Sequence, residues 1–346
     1  MRKILITTSA LIAGVMATEN NNLTERYKAS TLDEAKNIVT DIEKRPGNAQ
    51  KKKLYIFDLD EVLVHRIGNE CGSPNFPKWR DLFIKRFWKD KEMRPSFGLY
   101  ESIITRDHIK ILVDKKMPEY VRECQDKGYK CIILTSTYNK VFKGGVVNTT
   151  HDIYKQELEN FGFDFARSWG ELQPKFFGLK AYHSRCYADG IIYAHDGKAS
   201  NKSEALNSFF SYAKIDPDIV IYMDDNPRNL DDIETLMKTK NQHFIGIQYN
   251  GYKKLPQVEC YNELAEGKRF DWLVKTKKWL TPHVQHCYKV NGLWTIKEAT
   301  TESTDTEEQN SEIDVTFKLC KPHGTTISNN ETSFATLTQS PCEETP

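Results

Sequence analysis

Apolar positions along the chain fall into two alternating periods, and they predict strands alternating with helices. Leu54-Tyr55-Ile56-Phe57 is an apolar, aromatic and β-branched run that reads as a buried strand. Tyr129 to Leu134, Gly190 to Ala194, Ile219 to Met223 and Phe244 to Ile247 are further runs of strand length. Between them the period is helical. Leu32, Ala35, Ile38, Val39 and Ile42 mark one face of a helix that opens on the capping pattern Thr31-Leu32-Asp33-Glu34 and stops at Pro46-Gly47. Pro118 opens another, with Tyr120, Val121 and Cys124 on one face and Gly128 as its stop. Helical spacing returns at His151 to Phe161, from Asn201 through Phe210, and at Leu230, Ile233, Leu236 and Met237. Tyr261 to Leu280 reads as mostly helical. Apolar strands alternating with amphipathic helices predict an α/β protein with a parallel sheet covered on both faces.

The ends of the chain have a different character. Met1-Arg2-Lys3 is basic, Ile4 to Met16 is apolar, and Val15 and Ala17 fit the small-residue rule for cleavage after Ala17. Residues 1–17 therefore read as a secretory signal peptide, with an uncleaved N-terminal helix as the alternative. The run is too short to span a bilayer. The expectation is an exported protein, periplasmic or secreted, with no membrane span in its mature form. Residues 18–53 then form an N-terminal helix and a basic linker. From about residue 299, Ser, Thr, Glu and Asn dominate, which predicts a disordered tail.

Composition narrows the functional classes. Lysine and arginine number 49 against 48 acids, a net charge of +1, so nothing favours a nucleic-acid partner. The eight cysteines suit an oxidising compartment, but their pairing is not legible. Cys131 falls in a predicted core strand and is expected to be a buried thiol. There is no C-x-x-C, no G-x-S-x-G, no P-loop and no H-E-x-x-H.

The candidate chemistry lies at the strand ends. The Leu54 strand runs into Asp58-Leu59-Asp60-Glu61-Val62, and alternation puts Asp58 and Asp60 on one side. The Ile219 strand ends in Asp224-Asp225. Carboxylates brought together repel unless a cation or proton lies between them. Two distant strands, each ending in a pair of acids, point to one shared cation site. In an open parallel sheet such strand ends are where ligands bind.

Asp58-Leu59-Asp60-Glu61-Val62 resembles the D-x-D-x-T/V motif of the haloacid dehalogenase superfamily of phosphotransferases. The strand ending at Thr135-Ser136 resembles its second motif, with Thr135 favoured and Ser136 the fallback. Lys202, opening a helix, resembles the third, with Lys198 as a rival. The family usually has glycine after that lysine, where this chain has Ser203. Asp224-Asp225 resembles the fourth motif in its Asp-Asp form. The resemblance spans about residues 54 to 250 within a domain placed at 54–298. More loosely, the chain is similar to exported bacterial members of uncharacterised function.

The resemblance implies a doubly wound, Rossmann-like parallel sheet with small helical cap insertions, the candidates being residues 65–110 and 137–189. The first could equally be a packed helical hairpin, with Trp79, Phe83 and Phe87 on one face. It implies a phosphatase in which Asp58 is the nucleophile, forming an aspartyl-phosphate, and Asp60 protonates the leaving alcohol and then activates water. Mg²⁺ would be held by Asp58, the Asp60 backbone carbonyl and Asp225, with Asp224 positioning the lysine or completing the metal shell. Thr135 and Lys202 would bind the phosphoryl group. Because dehalogenases generally lack the second aspartate, Asp60 favours a hydrolase of phosphate monoesters, with a small-molecule ester or a phosphoprotein as substrate. The competing expectations are an exported binding or effector protein with little turnover, and a phosphotransferase to an acceptor other than water.

Overall fold

A computed structural model of the chain describes residues 23–68, 76–178, 185–255, 261, 263–280, 293–296 and 315–318. The expected signal peptide, and all of the expected tail but one short strand, lie outside them.

In chain order, the first half comprises β1 (Thr24–Ala29), α1 (Leu32–Glu43), β2 (Lys53–Phe57), β3 (Val64–Ile67), α2 (Phe76–Phe83), α3 (Phe97–Asp107), β4 (Ile109–Leu112), α4 (Met117–Asp126) and β5 (Lys130–Thr135). The second half comprises α5 (Thr150–Asn160), β6 (Lys175–Phe176), β7 (Cys186–Ala188), β8 (Ile191–Tyr193), α6 (Lys202–Ala213), β9 (Ile219–Asp224), α7 (Pro227–Thr239), β10 (His243–Tyr249) and α8 (Glu263–Thr276). Two further strands, β11 (Leu293–Ile296) and β12 (Val315–Lys318), form a separate antiparallel ribbon, so the stretch read as a tail contains paired backbone.

Among the described residues the main sheet has eight strands, in the order β1-β10-β9-β2-β5-β8-β7-β6. From β1 to β8 every pairing is parallel, and β7 and β6 add an antiparallel edge. From β2 the chain winds outward through β5 to β8, then returns to build β9 and β10 on the other side. This is a doubly wound α/β fold, as expected, with its reversal point beside β2.

Alternation along each strand divides the core into two layers. Tyr55, Phe57, Cys131, Ile133, Ile221 and Met223 face α1, α4 and α5. Leu54, Ile56, Ile132, Leu134, Val220 and Tyr222 face α6 and α7. All residues of β2 and β9 are buried, which explains their uninterrupted apolar runs. Cys131 is a buried free thiol, as are Cys124 and Cys186.

Two parts of the sequence reading need correction. The polar stretch before Thr31 contains β1, an edge strand held by its ladder to β10 and by ion pairs from Arg26 to Asp231 and Glu234. Within residues 18–53, read as an N-terminal helix and linker before the domain, β1 and α1 belong to the domain itself. The 137–189 segment is not a cap. Its helix α5 buries Ile153, Tyr154 and Leu158 against the sheet, and β6 and β7 extend that sheet. The 65–110 segment is a true insert, carried between the paired strands β3 and β4.

The insert has its own core. Trp79, Phe83, Phe87, Tyr100 and Ile103 pack around Phe270, Leu273 and Trp279 from α8 and the residues after it. The last helix thus clasps the insert rather than the sheet. Phe270 touches four aromatic rings, at centroid distances of 5.4 to 5.8 Å. Phe270→Ala is expected to cost about 3–5 kcal/mol of local stability. Hydrogen exchange should quicken over residues 76–107 and stay unchanged in β2 and β9. Equal loss of protection in both would show that insert and sheet open as one unit.

Candidate active site

The site begins with strand register. Phe57 of β2 lies opposite Met223 of β9, so the next residues, Asp58 and Asp224, emerge side by side at the carboxyl ends. The Asp58 N–H donates to the Met223 carbonyl at 2.9 Å and locks that step. Both aspartates follow the strand face that carries Ile56 and Tyr222, the face covered by α6. Lys202 is the first residue of α6. Asn201 caps the helix by accepting the Glu204 N–H, and Ser203 donates to the same Asn201 oxygen at 3.0 Å. The serine that departs from the family pattern therefore fits the cap.

Lys202 Nζ stands 2.9 Å from Asp58 Oδ1 and 2.7 Å from Asp224 Oδ2. The Lys202 side chain is 1% exposed, Asp58 10% and Asp224 0%, so none of these charges leans on water. Burial works against the ammonium, but Asp58 and Asp224 outweigh it and raise the Lys202 pKa. Lys198, the rival, lies on an exposed loop, where its N–H donates to Asp196 at 3.0 Å. The lysine at the site is Lys202.

Asp224 is the best satisfied acid. Besides Lys202 it accepts from the Tyr222 hydroxyl, from the Asn226 N–H at 2.8 Å, and from Asn229 Nδ2 at 3.1 Å to each oxygen. The Tyr222 hydroxyl also lies 3.0 Å from Lys202 Nζ. Tyr222 and Asn229 were not foreseen. A signal for Tyr222 was present, since a polar aromatic two residues before Asp224 shares its strand face. Asn229 was findable only as the first turn of the helix that follows.

Asp58, Asp224 and Asp225 each offer a carboxylate oxygen within 4.8 Å of the others. Fully ionised, three carboxylates against one ammonium leave two negative charges. Burial pushes the Asp58 carboxyl well above the usual range, with Lys202 opposing and Asp224 adding to the rise. Asp225 makes no ion pair among the described residues, and burial, then Asp224 and Glu61, push its carboxyl up to about 7. An all-oxygen, net-negative donor set suits a hard divalent cation such as Mg²⁺.

Asp60 is placed differently. Its side chain is outside the cluster, and Arg66 Nε of β3 lies 2.9 Å from its Oδ1, close enough for an ion pair though off hydrogen-bond alignment. Arg66 also reaches the Tyr154 hydroxyl. Between Asp60 and β3, Glu61 adopts the left-handed backbone at φ 66°, at a cost of about 1 kcal/mol for a residue with a Cβ. Its N–H donates to the Val64 carbonyl at 2.7 Å, and its carboxylate pairs with buried His65 at 2.7 Å. Thr135 ends the strand beside β2, but its hydroxyl meets the Thr137 N–H and Oγ1, each at 3.1 Å. Ser136 is exposed just beyond the strand.

A doubly wound sheet with converging acids and a buried lysine at its reversal point defines the class. Residues 31–283 match the model of a family described as protein of unknown function, DUF2608, and the chain belongs to that family. A comparison with curated proteins finds no match. Among the described residues no helix is long and apolar enough to cross a membrane.

Asp225 sets a pH dependence. Its ordinary value is 3.8 and its value in the fold about 7, so between them the unfolded chain binds fewer protons and stability falls as pH rises. Without divalent cation, Asp225→Asn should raise stability above about pH 7 by on the order of 2–4 kcal/mol, and change little below about pH 4. Adding Mg²⁺ near pH 8 should raise the melting temperature of the wild type but not of the variant. A wild type and variant with parallel stability–pH curves would exclude a raised Asp225.

Proposed function

We propose that the protein is an exported, Mg²⁺-dependent phosphohydrolase that cleaves phosphate monoesters, as its resemblance to the haloacid dehalogenase superfamily implies. One observation carries this reading: the strand-end acids Asp58, Asp224 and Asp225 share one cluster, with buried Lys202 joining Asp58 to Asp224.

The geometry supports Asp58 as nucleophile. Its Oδ1 accepts from the Leu59 N–H at 2.8 Å and from Lys202, which fixes the carboxylate plane and leaves Oδ2 as the attacking atom. Attack by Oδ2 on phosphorus breaks the ester P–O bond. Asp60 supplies the proton that the departing alkoxide needs. It then takes a proton from the water that attacks phosphorus and releases Asp58. Mg²⁺ held by Asp58, Asp225 and the Asp60 carbonyl would keep both carboxylates ionised and offset phosphoryl charge. Lys202 holds Asp58 in place, and Asp224, enclosed by Tyr222 and Asn229, holds Lys202. For Thr135 the hydrogen bonds favour a role in shaping the loop after β5; to bind phosphate its hydroxyl has to leave Thr137 Oγ1.

The Asp60–Arg66 pair favours the second reading, a binding or effector protein that reuses the fold with little turnover. For Asp60 to act as an acid, that contact has to open.

Hydrolysis of a generic aryl phosphate by the full chain separates the two. Turnover should require Mg²⁺, vanish in EDTA, and fall at least about a thousandfold in Asp58→Asn. Turnover that survives Asp58→Asn would point to another nucleophile. Absence of both turnover and Mg²⁺ binding in the folded wild type would favour the binding role.

A further inference from the structure

At the pole of the sheet opposite the acidic cluster, where the strands begin, lies a cavity of about 450 Å³. Its walls are the turns that enter β2, β5 and β9. Lys53 is the first residue of β2 and Lys130 the first of β5, while Ile215, Asp216 and Pro217 lead into β9. Asp58 lies five residues beyond Lys53, about 17 Å at the rise of a strand. Six lysines line the cavity, Lys51, Lys52, Lys53, Lys127, Lys130 and Lys214, against one acid, Asp216. Its volume falls in the range of small-molecule pockets, about 300–1,000 Å³.

The chain as a whole is near charge parity, 49 basic residues against 48 acids, so these lysines are segregated charge. Elsewhere on the described surface, cations are met by acids, as Lys36 is by Glu123 at 2.8 Å and Arg167 by Asp126 at 2.6 Å. Among the described residues, only Lys127 of the six has such a partner, Glu43 at 3.5 Å, and Glu43 also accepts from the Tyr55 hydroxyl. Lys130 donates to a neutral acceptor, the Ser168 carbonyl. Asp216 accepts from Gln242 Nε2 at 2.6 Å, and neighbouring Asp218 accepts from the Lys52 N–H at 2.7 Å. Even with all three carboxylates counted, the six ammonium groups leave three positive charges unbalanced.

Two of these lysines stand where another residue would be cheaper. Lys53 is 4% exposed, and its Nζ meets the Lys51 and Ala49 carbonyls at 3.4 and 3.5 Å and lies 4.7 Å from the Tyr129 ring centroid, with no carboxylate in ion-pair reach. Burial lowers its pKa, with Glu43 opposing and Lys127 adding to the fall. Lys214 ends α6 in the left-handed backbone at φ 52°, where glycine is the usual residue. The C-terminal ends of α4 and α6 favour a cation at Lys127 and Lys214, but that does not account for Lys51, Lys52 and Lys53 at a strand entrance. Like charges drawn from three separate segments repel one another until an anion lies between them.

We infer that this cavity binds a compact polyphosphate, several phosphate groups on one small molecule, at a site separate from the acidic cluster. Lysine carries a point charge where arginine carries a planar fork, so walls of lysine without arginine select charge density over the shape of a single carboxylate or phosphate. Tyr129 is the one aromatic ring lining the cavity, and it is engaged by Lys53 and stacked on Tyr55 at 5.4 Å. That leaves no platform for a base, which sets single-stranded nucleic acid aside. A free polyphosphate and a phosphoinositide headgroup present the same chemistry, and the test separates them. The inference does not depend on the phosphohydrolase reading.

Inorganic tripolyphosphate is titrated into the full chain at low salt, without divalent cation. Saturable binding at one site per chain is expected. Lys51→Ala, Lys52→Ala and Lys214→Gly should each weaken it about twofold to fivefold, and together at least about tenfold. Lys214→Gly also relaxes the backbone, so its melting temperature should hold or rise while its affinity falls, a pair of results that a purely structural lysine would not give. The control variant replaces Lys85, Lys89 and Lys91 with alanine, three exposed lysines of the insert that do not line the cavity. It removes the same charge and should leave the affinity within about twofold. Asp58→Asn should bind as the wild type does. Vesicles of phosphatidylcholine, with and without phosphatidylinositol bisphosphate, then identify the source. Recruitment that needs the phosphoinositide and is lost in the triple cavity variant marks a headgroup, and tripolyphosphate binding without recruitment marks a free polyphosphate; either upholds the site. Equal weakening in the control variant would reduce the effect to general charge attraction and overturn the inference. Binding lost in Asp58→Asn would place the probe at the acidic cluster and overturn it too, as would no saturable binding by the folded wild type. None of these outcomes bears on hydrolysis at Asp58, which is read separately with the aryl phosphate.

Discussion

A single buried ammonium, Lys202 between Asp58 and Asp224, is the contact on which the site is built. Removing one partner from such an arrangement leaves an uncompensated buried charge, at a cost of about 3–5 kcal/mol. Replacing all of it by apolar residues is often neutral or stabilising. Stability alone therefore gives no reason for these charges to be buried. They make sense as a preorganised site, in which Tyr222, Asn229 and the helix cap at Asn201 hold the lysine and Asp224 in one geometry. Asp225, which makes no ion pair among the described residues, is the acid of the cluster whose charge a bound cation would balance.

The molecule is built as a platform and an insert. The platform is the sheet, whose two apolar layers fix the strand ends. The insert leaves it through β3 and returns through β4, with strained Glu61 and the Asp60–Arg66 contact at its root. Its aromatic core is separate from both layers and closed by α8. The matched family region, residues 31–283, takes in the sheet from α1 onward, the insert and α8 together. These packing boundaries let the insert vary without disturbing the register of β2 and β9.

Most of the sheet was legible in the sequence, for a physical reason. Strands buried on both faces must be apolar throughout, so β2, β5, β8, β9 and β10 announce themselves, and helices resting on a sheet must carry a stripe at helical spacing. The edge strand β1 escaped because one side of an edge faces water. Its polar residues Thr24, Glu25, Arg26 and Lys28 are compatible with a strand only when β10 lies beside them. The short strands β3, β4, β6 and β7 escaped because two to four residues carry no period. Helix α5 was assigned to a cap because its stripe shows that it packs, but not on what.

The same division runs through the site. Local rules placed Asp58, Asp60, Thr135, Lys202, Asp224 and Asp225 at strand ends and a helix start, since a buried strand ending in acids needs something to satisfy them. Which of them meet was settled by register and by side-chain direction. Phe57 opposite Met223 sets Asp58 beside Asp224, and α6 on that face delivers Lys202 rather than Lys198. Asp60 points instead to Arg66, and Thr135 to its own loop. Sequence by itself determined the elements and the acids, because burial and periodicity act residue by residue. Only the tertiary structure decided their partners, because hydrogen bonds and ion pairs form between segments that the chain brings together last.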